Sequence, residues 1–358
     1  MHRLIVGFLT LLSAAAVLAA TPAKSTAKKS GTAKKAKVVA AAKPAVKKAE
    51  AKPAAAAPVQ SAHRRSPYVG AISAEANTGK ILFEDNADTE AYPASVTKLM
   101  TLLLVLEDVK AGKYGLDEKV TATADAYKSE PSWVGIKVDE KMSVRDLCLA
   151  LMIESANDAA IVLGVHSAGS IEGFVSRMNA RAAELGMSHT KYYNPNGLPP
   201  VSSKGRRYPW KSFNVTTARD QLKLALALVK MPETFAFTSV KTADLVKTAD
   251  GYRVSVTRKV NEPTVETQAA EGEKVVKQLR NHNNVMRMDK LKVFNPDGKE
   301  AVDGLKTGYI DAGGSSIVLT GKRGNKRAVV VVLGSATAKE RDARASHLLT
   351  DVLGAVAW

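Results

Sequence analysis

The chain of 358 residues has one cysteine, Cys148. A single thiol excludes an internal disulfide. Lying far from the N-terminus, it also excludes lipid attachment to a processed first residue. Its apolar neighbours Leu147, Leu149 and Leu151 read it as a core residue rather than a nucleophile. No internal repeat is visible. The apolar run at residues 4–20 is 17 residues long and rich in alanine, the short end for a membrane span. His2 and Arg3 precede it, and Ala16, Ala19 and Ala20 end it. That pattern marks a secretory signal peptide cleaved near Ala20, with an uncleaved anchor as the alternative.

Residues 21–65 lack aromatic side chains altogether. They are almost entirely Ala, Lys, Pro, Ser, Thr and Val, which cannot bury a core, so disorder is expected. Ten Lys, two Arg and one Glu give this stretch +11 of the chain's +17; the part from Ser66 onward carries only +5. The high isoelectric point therefore describes a tail more than a fold. Such a tail reads as a solvated spacer or as an electrostatic tether to an anionic envelope polymer. The secretion signal argues against nucleic acid as the partner. The expected organisation is a signal peptide at 1–20, a linker at 21–65 and one folded domain at 66–358.

Glycine and proline are also missing between Pro93 and Gly112. Here Tyr92-Pro93-Ala94-Ser95-Val96-Thr97-Lys98-Leu99-Met100-Thr101 runs into Leu102-Leu103-Leu104-Val105-Leu106. Proline suits a first helical turn, so a buried helix is expected to open at Pro93 or Ala94 and end near Gly112. Residues i and i+3 share a face, which places Ser95 beside Lys98 at the positive end of the helix. A lysine amine with a lowered pKa next to a serine hydroxyl can act as that serine's base. The same spacing recurs at Ser25/Lys28, in the low-complexity tail, and at Ser188/Lys191, in a turn, so the pair alone is weak evidence.

The rest of the chain supplies context. Residues 69–76 and 81–84 read as a hairpin around Asn77-Thr78-Gly79-Lys80. Ser143 reads as a helix cap, followed by apolar helices at 144–152 and 159–165, an amphipathic helix at 171–185 and another at 217–230. Residues 238–280 are charged and β-prone, with a strand at 252–256 and an exposed loop at 261–274. Late strands are expected at 277–279, 302–309, 316–321 and 327–333, then a closing helix at 339–356. The order is hairpin, helices, strands, helix. It predicts an α/β (α+β) fold in which both chain ends complete one antiparallel sheet around a helical insertion.

Three short motifs fall in order: Ser95-x-x-Lys98, Ser155-Ala156-Asn157 and Lys306-Thr307-Gly308. Ser212-Phe213-Asn214 repeats the second pattern and is read as chance. With Asn77-Thr78-Gly79-Lys80, Asp158-Ala159-Ala160, Met178-Asn179, Leu185-Gly186-Met187, Asn194-Pro195-Asn196-Gly197-Leu198, Thr217-Ala218-Arg219-Asp220 and Asp303-Gly304-Leu305, the sequence from about Val69 to Leu353 resembles a known family. These are the low-molecular-weight penicillin-binding proteins, the D-alanyl-D-alanine carboxypeptidase family of serine peptidases.

The resemblance implies a DD-peptidase/β-lactamase-like fold and a penicillin-sensitive carboxypeptidase acting on peptidoglycan stem peptides in the periplasm or cell envelope, with β-lactams as covalent inhibitors. No cofactor or metal is implied. Ser95 would be the nucleophile and Lys98 its base. Ser155 would pass a proton to the departing D-alanine, and Asn157 would orient substrate and lysine. Lys306 would hold Lys98 deprotonated and attract an anionic substrate. Thr307 would bind the terminal carboxylate, with Arg341 as a candidate partner. The N–H groups of Ser95 and Tyr309 would form the oxyanion hole, and Gly308 would let the substrate backbone lie close. Arg219 reads either as substrate-facing or as an ion pair with Asp220 or another acid.

Many family members carry a further β-rich domain and a C-terminal amphipathic helix, and neither is expected here. The shorter members include endopeptidases that cut D-alanyl cross-links, which stands as the alternative activity. A β-lactamase would need a glutamate placed to activate water, and no convincing Glu-x-x-x-Asn loop lies between Asn157 and Lys306; Glu172 and Glu184 sit on a regular helix. A non-catalytic wall-binding protein is disfavoured by the intact triple.

Overall fold

The computed structural model describes residues 67–127, 130–201, 205, 207–209, 211–288, 293–354 and Val356–Ala357. The expected signal peptide, the linker with Ser25/Lys28, and residues 202–204, 206 and 210 lie outside the described residues.

The hairpin forms as its turn chemistry dictates. Strands β1 (Gly70–Glu75) and β2 (Ile81–Asp85) are joined by a turn that the Glu75 carboxylate closes. It accepts from the backbone N–H groups of Asn77 and Thr78, both at 2.9 Å, and from the Thr78 hydroxyl at 2.6 Å. The apolar stretch after Pro93 becomes a 3-10 turn (Ala94–Thr97) and helix α1 (Lys98–Lys110). The helical entry expected at Pro93 or Ala94 thus begins at Ala94, but its first turn is 3-10 rather than α. Ala94 has φ +48°, which a right-handed α-helix does not admit, so the Val96 N–H closes a tighter turn onto the Pro93 carbonyl.

The helical insertion follows. Strand β3 (Lys119–Thr121), short helix α2 (Ala124–Tyr127) and strand β4 (Lys141–Ser143) lead into α3 (Val144–Ile153), α4 (Asn157–Ala168) and α5 (Ile171–Glu184). As expected, Ser143 caps α3 by accepting from the Asp146 N–H. Helix α6 (Ala218–Val229) is opened the same way by Thr217. Short helix α7 (Thr234–Thr238) precedes strands β5 (Val240–Lys247), β6 (Tyr252–Lys259) and β7 (Lys274–Arg280). These form a separate antiparallel sheet in the order β6-β5-β7. The insertion is therefore not purely helical, and the strand expected at 277–279 belongs here. Its pattern misled because Val275 and Val276 are exposed and Lys241 is buried against Glu300.

Short helix α8 (Asn284–Arg287) and strand β8 (Val293–Phe294) come next. The chain then returns through β9 (Val302–Ile310), β10 (Gly314–Arg323) and β11 (Lys326–Ser335), helix α9 (Ala338–Leu353) and the short strand β12 (Val356–Ala357), which pairs with β8. Both chain ends share one five-stranded antiparallel sheet in the order β2-β1-β11-β10-β9, as the element order predicted. Its central strand β11 is apolar from Ala328 to Leu333 because both faces are covered there. Val329, Val331 and Leu333 join the core containing α1, α3, α4 and α6. Ala328, Val330 and Val332 turn the other way and join Ala345, Leu348 and Leu349 of α9. The edge strand β9 is left facing the 3-10 turn, which brings the first and third motifs together.

Candidate functional site

Ser95 lies in the 3-10 turn and Lys98 is the first residue of α1. A turn of three residues places i and i+3 in line. Lys98 Nζ stands 2.9 Å from Ser95 Oγ, 2.7 Å from Asn157 Oδ1 and 2.7 Å from the Asn196 carbonyl oxygen. Lys98 is fully buried, and that burial pushes its amine well below the ordinary lysine range. The charge of Lys306 pushes the same way, and Asp158 opposes. A neutral amine has two hydrogens and one lone pair. Asn157 Nδ2 donates to the Glu130 carbonyl at 2.7 Å, so its Oδ1 faces Lys98. That oxygen and the Asn196 carbonyl can only accept, so they take both hydrogens. The lone pair is left for the Ser95 hydroxyl, the arrangement a general base needs.

The second motif sits at the junction of α3 and α4. Ser155 is buried with φ +60°, and the chain resumes helix at Asn157. The loop at 130–137 fixes this corner. The Asn157 N–H donates to the Ser132 carbonyl at 2.8 Å, and the Asp158 carboxylate accepts from the N–H groups of Val134, Gly135 and Ile136. Among the described residues no hydrogen bond joins the Ser155 hydroxyl to Ser95 or Lys98.

The third motif lies on β9. A Cβ at Gly308 would stand 2.6 Å from the Pro93 carbonyl and 3.0 Å from the Ser95 nitrogen. Glycine is required there because the strand packs directly on the 3-10 turn. Tyr309, next along, has an exposed ring with its hydroxyl on Asp311. Lys306 is buried and donates to the Thr307 carbonyl at 2.9 Å. Burial, then the charge of Arg341, pushes its amine down to about 7. Arg341 is buried near the start of α9, held by Asp342 at 2.6 Å. Among the described residues no group of three or more His, Cys, Asp or Glu could hold a metal.

The family model described as D-alanyl-D-alanine carboxypeptidase, peptidase S11, matches residues 59–337. The chain belongs to that family. It is 30% identical over 279 residues to D-alanyl-D-alanine carboxypeptidase DacF of Bacillus subtilis, covering 78% of this chain and 60% of that one. The chain thus spans about three-fifths of the length of the curated relatives it matches. The structure of the carboxypeptidase DacD from Francisella tularensis superposes with TM-score 0.65 at 26% identity, covering 81% of this chain and 71% of that one. That of penicillin-binding protein D2 from Listeria monocytogenes in its cefotaxime-bound form gives 0.58 at 29% identity, covering 80% and 96%.

In this member of the S11 family, several side chains around Ser95 and Lys98 were missed or under-read in the sequence. Asn214, in the Ser-x-Asn copy taken for chance, is buried and donates to the Thr97 hydroxyl and to the Asn194 carbonyl, both at 3.0 Å. It ties the turn bearing Ser95 to the loop whose Asn196 holds Lys98. Phe213 stacks on Tyr92, ring centroids 4.4 Å apart. Asn194 accepts from the Asn196 and Gly197 N–H groups, which curls that loop under Lys98. His282 stands near both lysines; burial and then the charge of Lys306 push its imidazole down to about 4. No short motif marks it.

Other readings resolve simply. Arg219 is an ion-pair residue whose partners are Asp88 and Glu84, each at 2.8 Å, rather than Asp220. Asp220 is occupied by the His189 N–H, Thr190 and Lys223. Cys148 is buried in α3, and burial raises its thiol pKa, which makes it inert. Glu184 pairs with Arg181 on α5.

Proposed function

We propose that the chain is a serine-type D-alanyl-D-alanine carboxypeptidase that releases the terminal D-alanine of peptidoglycan stem peptides through a Ser95 acyl-enzyme. The observation that carries this reading is the buried Lys98 amine, held by two carbonyl oxygens 2.9 Å from Ser95 Oγ, with burial lowering its pKa well below the ordinary lysine range. Lys98 takes the hydroxyl proton as the Ser95 oxygen bonds to the carbonyl carbon of the penultimate D-alanine. The N–H groups of Ser95 and Tyr309 stabilise the oxyanion. The C–N bond then breaks, and Ser155 relays a proton to the departing amine. Water attacks the ester with Lys98 again as base, restoring Ser95. Asn157 orients lysine and substrate, while Thr307, with Lys306 and Arg341 behind it, takes the terminal carboxylate. A β-lactam enters the same first step and remains attached, a reading supported by the cefotaxime-bound relative.

A fluorescent penicillin labels Ser95, and Ser95→Ala abolishes both labelling and release of D-alanine from a pentapeptide. Labelling that survives this substitution would overturn the mechanism. Assaying a cross-linked muropeptide in parallel tests the endopeptidase alternative.

The signal at 1–20 supports action outside the cytoplasm, in the periplasm or cell envelope. The basic stretch at 21–65 acts there as a spacer. Deleting residues 21–62 leaves turnover of a soluble peptide unchanged; a large loss would mean that the tail takes part in catalysis or binding.

A further inference from the structure

A cavity of about 330 Å³ opens beside the site, between the end of α3, strand β7 and helix α8. Glu154, Lys277, Arg280, His282 and Arg287 line it. Its charge is unbalanced. Lys277 pairs with Glu154 at 2.6 Å. Arg280 instead meets the Gln278 side-chain oxygen and Arg287 the Asn284 side-chain oxygen, each at 2.9 Å. Both partners are neutral, and among the described residues neither arginine is hydrogen-bonded or ion-paired to a carboxylate. Two positive charges are therefore uncompensated around a concave surface.

The position of this cavity along β9 gives it meaning. Asn283, between His282 and α8, reaches the Gly304 carbonyl at 3.4 Å, tying this wall to the beginning of β9. Reading back along that strand, Tyr309 supplies the oxyanion N–H, Thr307 takes the terminal carboxylate, and Gly304 comes next to the basic wall. The cavity thus lies past the carboxylate of the departing residue, on the leaving-group side. Glu154 of its lining is also the residue before Ser155, which serves the leaving amine.

We propose that this cavity is a leaving-group subsite for a second carboxylate. The proposal rests on the carboxypeptidase reading and adds substrate class to it. A departing D-alanine has no second acid to place there. A departing D-amino acid or peptide that carries one, including the anionic arm of a cross-linked stem, pairs with Arg280 and Arg287. The gain is that of partly exposed ion pairs and is screened by salt.

The test compares three acylated peptides that differ only in the departing residue: D-alanine, D-2-aminoadipate and the side-chain amide of D-2-aminoadipate. For the wild-type protein kcat/KM is about fivefold higher for the acid than for its amide at low salt. The ratio falls toward one in high salt and in the Arg280→Gln/Arg287→Gln variant. Equal rates for acid and amide in the wild-type protein overturn the proposal, and that comparison decides even if the variant does not fold. A preference that persists in a folded double variant also overturns it. Turnover of D-alanine without the acid preference separates this failure from failure of the catalytic reading; no turnover of any peptide would remove both.

Discussion

The two ends of helix α1 bury opposite charges and treat them in opposite ways. At the first residue, Lys98 is surrounded by a hydroxyl and two carbonyl oxygens, with no carboxylate in hydrogen-bond contact. At the other end, Asp108 is equally hidden but fully paired. Arg177 meets it with two bonds, at 2.6 and 2.8 Å, and Lys113, Ser167 and Tyr114 complete its shell. Burial raises the Asp108 pKa, but the hydrogen bonds from Arg177, Lys113 and Ser167 outweigh it and hold the carboxyl down at about 2. At Lys98 the charge of Asp158 opposes burial and Lys306 but does not outweigh them, and the amine pKa stays well below the ordinary lysine range. A buried charge with partners fastens helices together; burying a cation without a hydrogen-bonded counterion lowers its pKa, which is what a lysine base requires.

The largest effect expected from this contrast is at Lys98. Lys98→Met lowers the rate of acylation by a penicillin by about 10²–10⁴-fold. It leaves the melting temperature unchanged or raises it, because an uncompensated cation is replaced by an apolar chain of similar length. A steep loss of stability here would break the comparison.

At the opposite end, Asp108→Ala strands Arg177 and costs about 3–5 kcal/mol in chemical denaturation. Acylation per folded molecule is unchanged. The sign with pH follows from the lowered pKa. The stabilisation is complete above the unfolded carboxylate value of about 4 and is lost as pH falls through about 2. The stability gap between wild type and Asp108→Asn therefore narrows in that window, and a gap that widens on acidification would refute the assignment.

Asn214→Ala is intermediate in kind and smallest in size. It removes the donor shared by Thr97 and the Asn194 loop, costing about 1–3 kcal/mol. Because that loop supplies the Asn196 carbonyl to Lys98, acylation also slows. Lost stability with an unchanged acylation rate would make Asn214 a scaffold residue only.

Much of the fold was legible because its signals are local. The valine run of β11, the glycine turn of the hairpin and the Ser143 and Thr217 caps each depend on a few neighbouring residues. So did the Ser95–Lys98 spacing, which the 3-10 turn turned into a 2.9 Å contact. The three-stranded sheet at 240–280 was only partly legible. Its strand β6 alternates over 252–256 and was read, but β5 buries charge at Lys241 and β7 exposes Val275 and Val276, so no period of two marks the inward face of those two strands. Asn214 was passed over for a related reason: a buried asparagine and a surface one look alike until the chain closes around them.

The sequence by itself determined the motif order, the sheet built from both chain ends and the spacing of Ser95 and Lys98. Only the tertiary structure decided what surrounds that pair. The Lys98 pKa falls because the folded chain buries the amine completely and sets the charge of Lys306 near it, while Asn157 and Asn196, 59 and 98 positions away, hold it in place. A pKa is set by what surrounds a group in space, and no local stretch of sequence contains that surrounding.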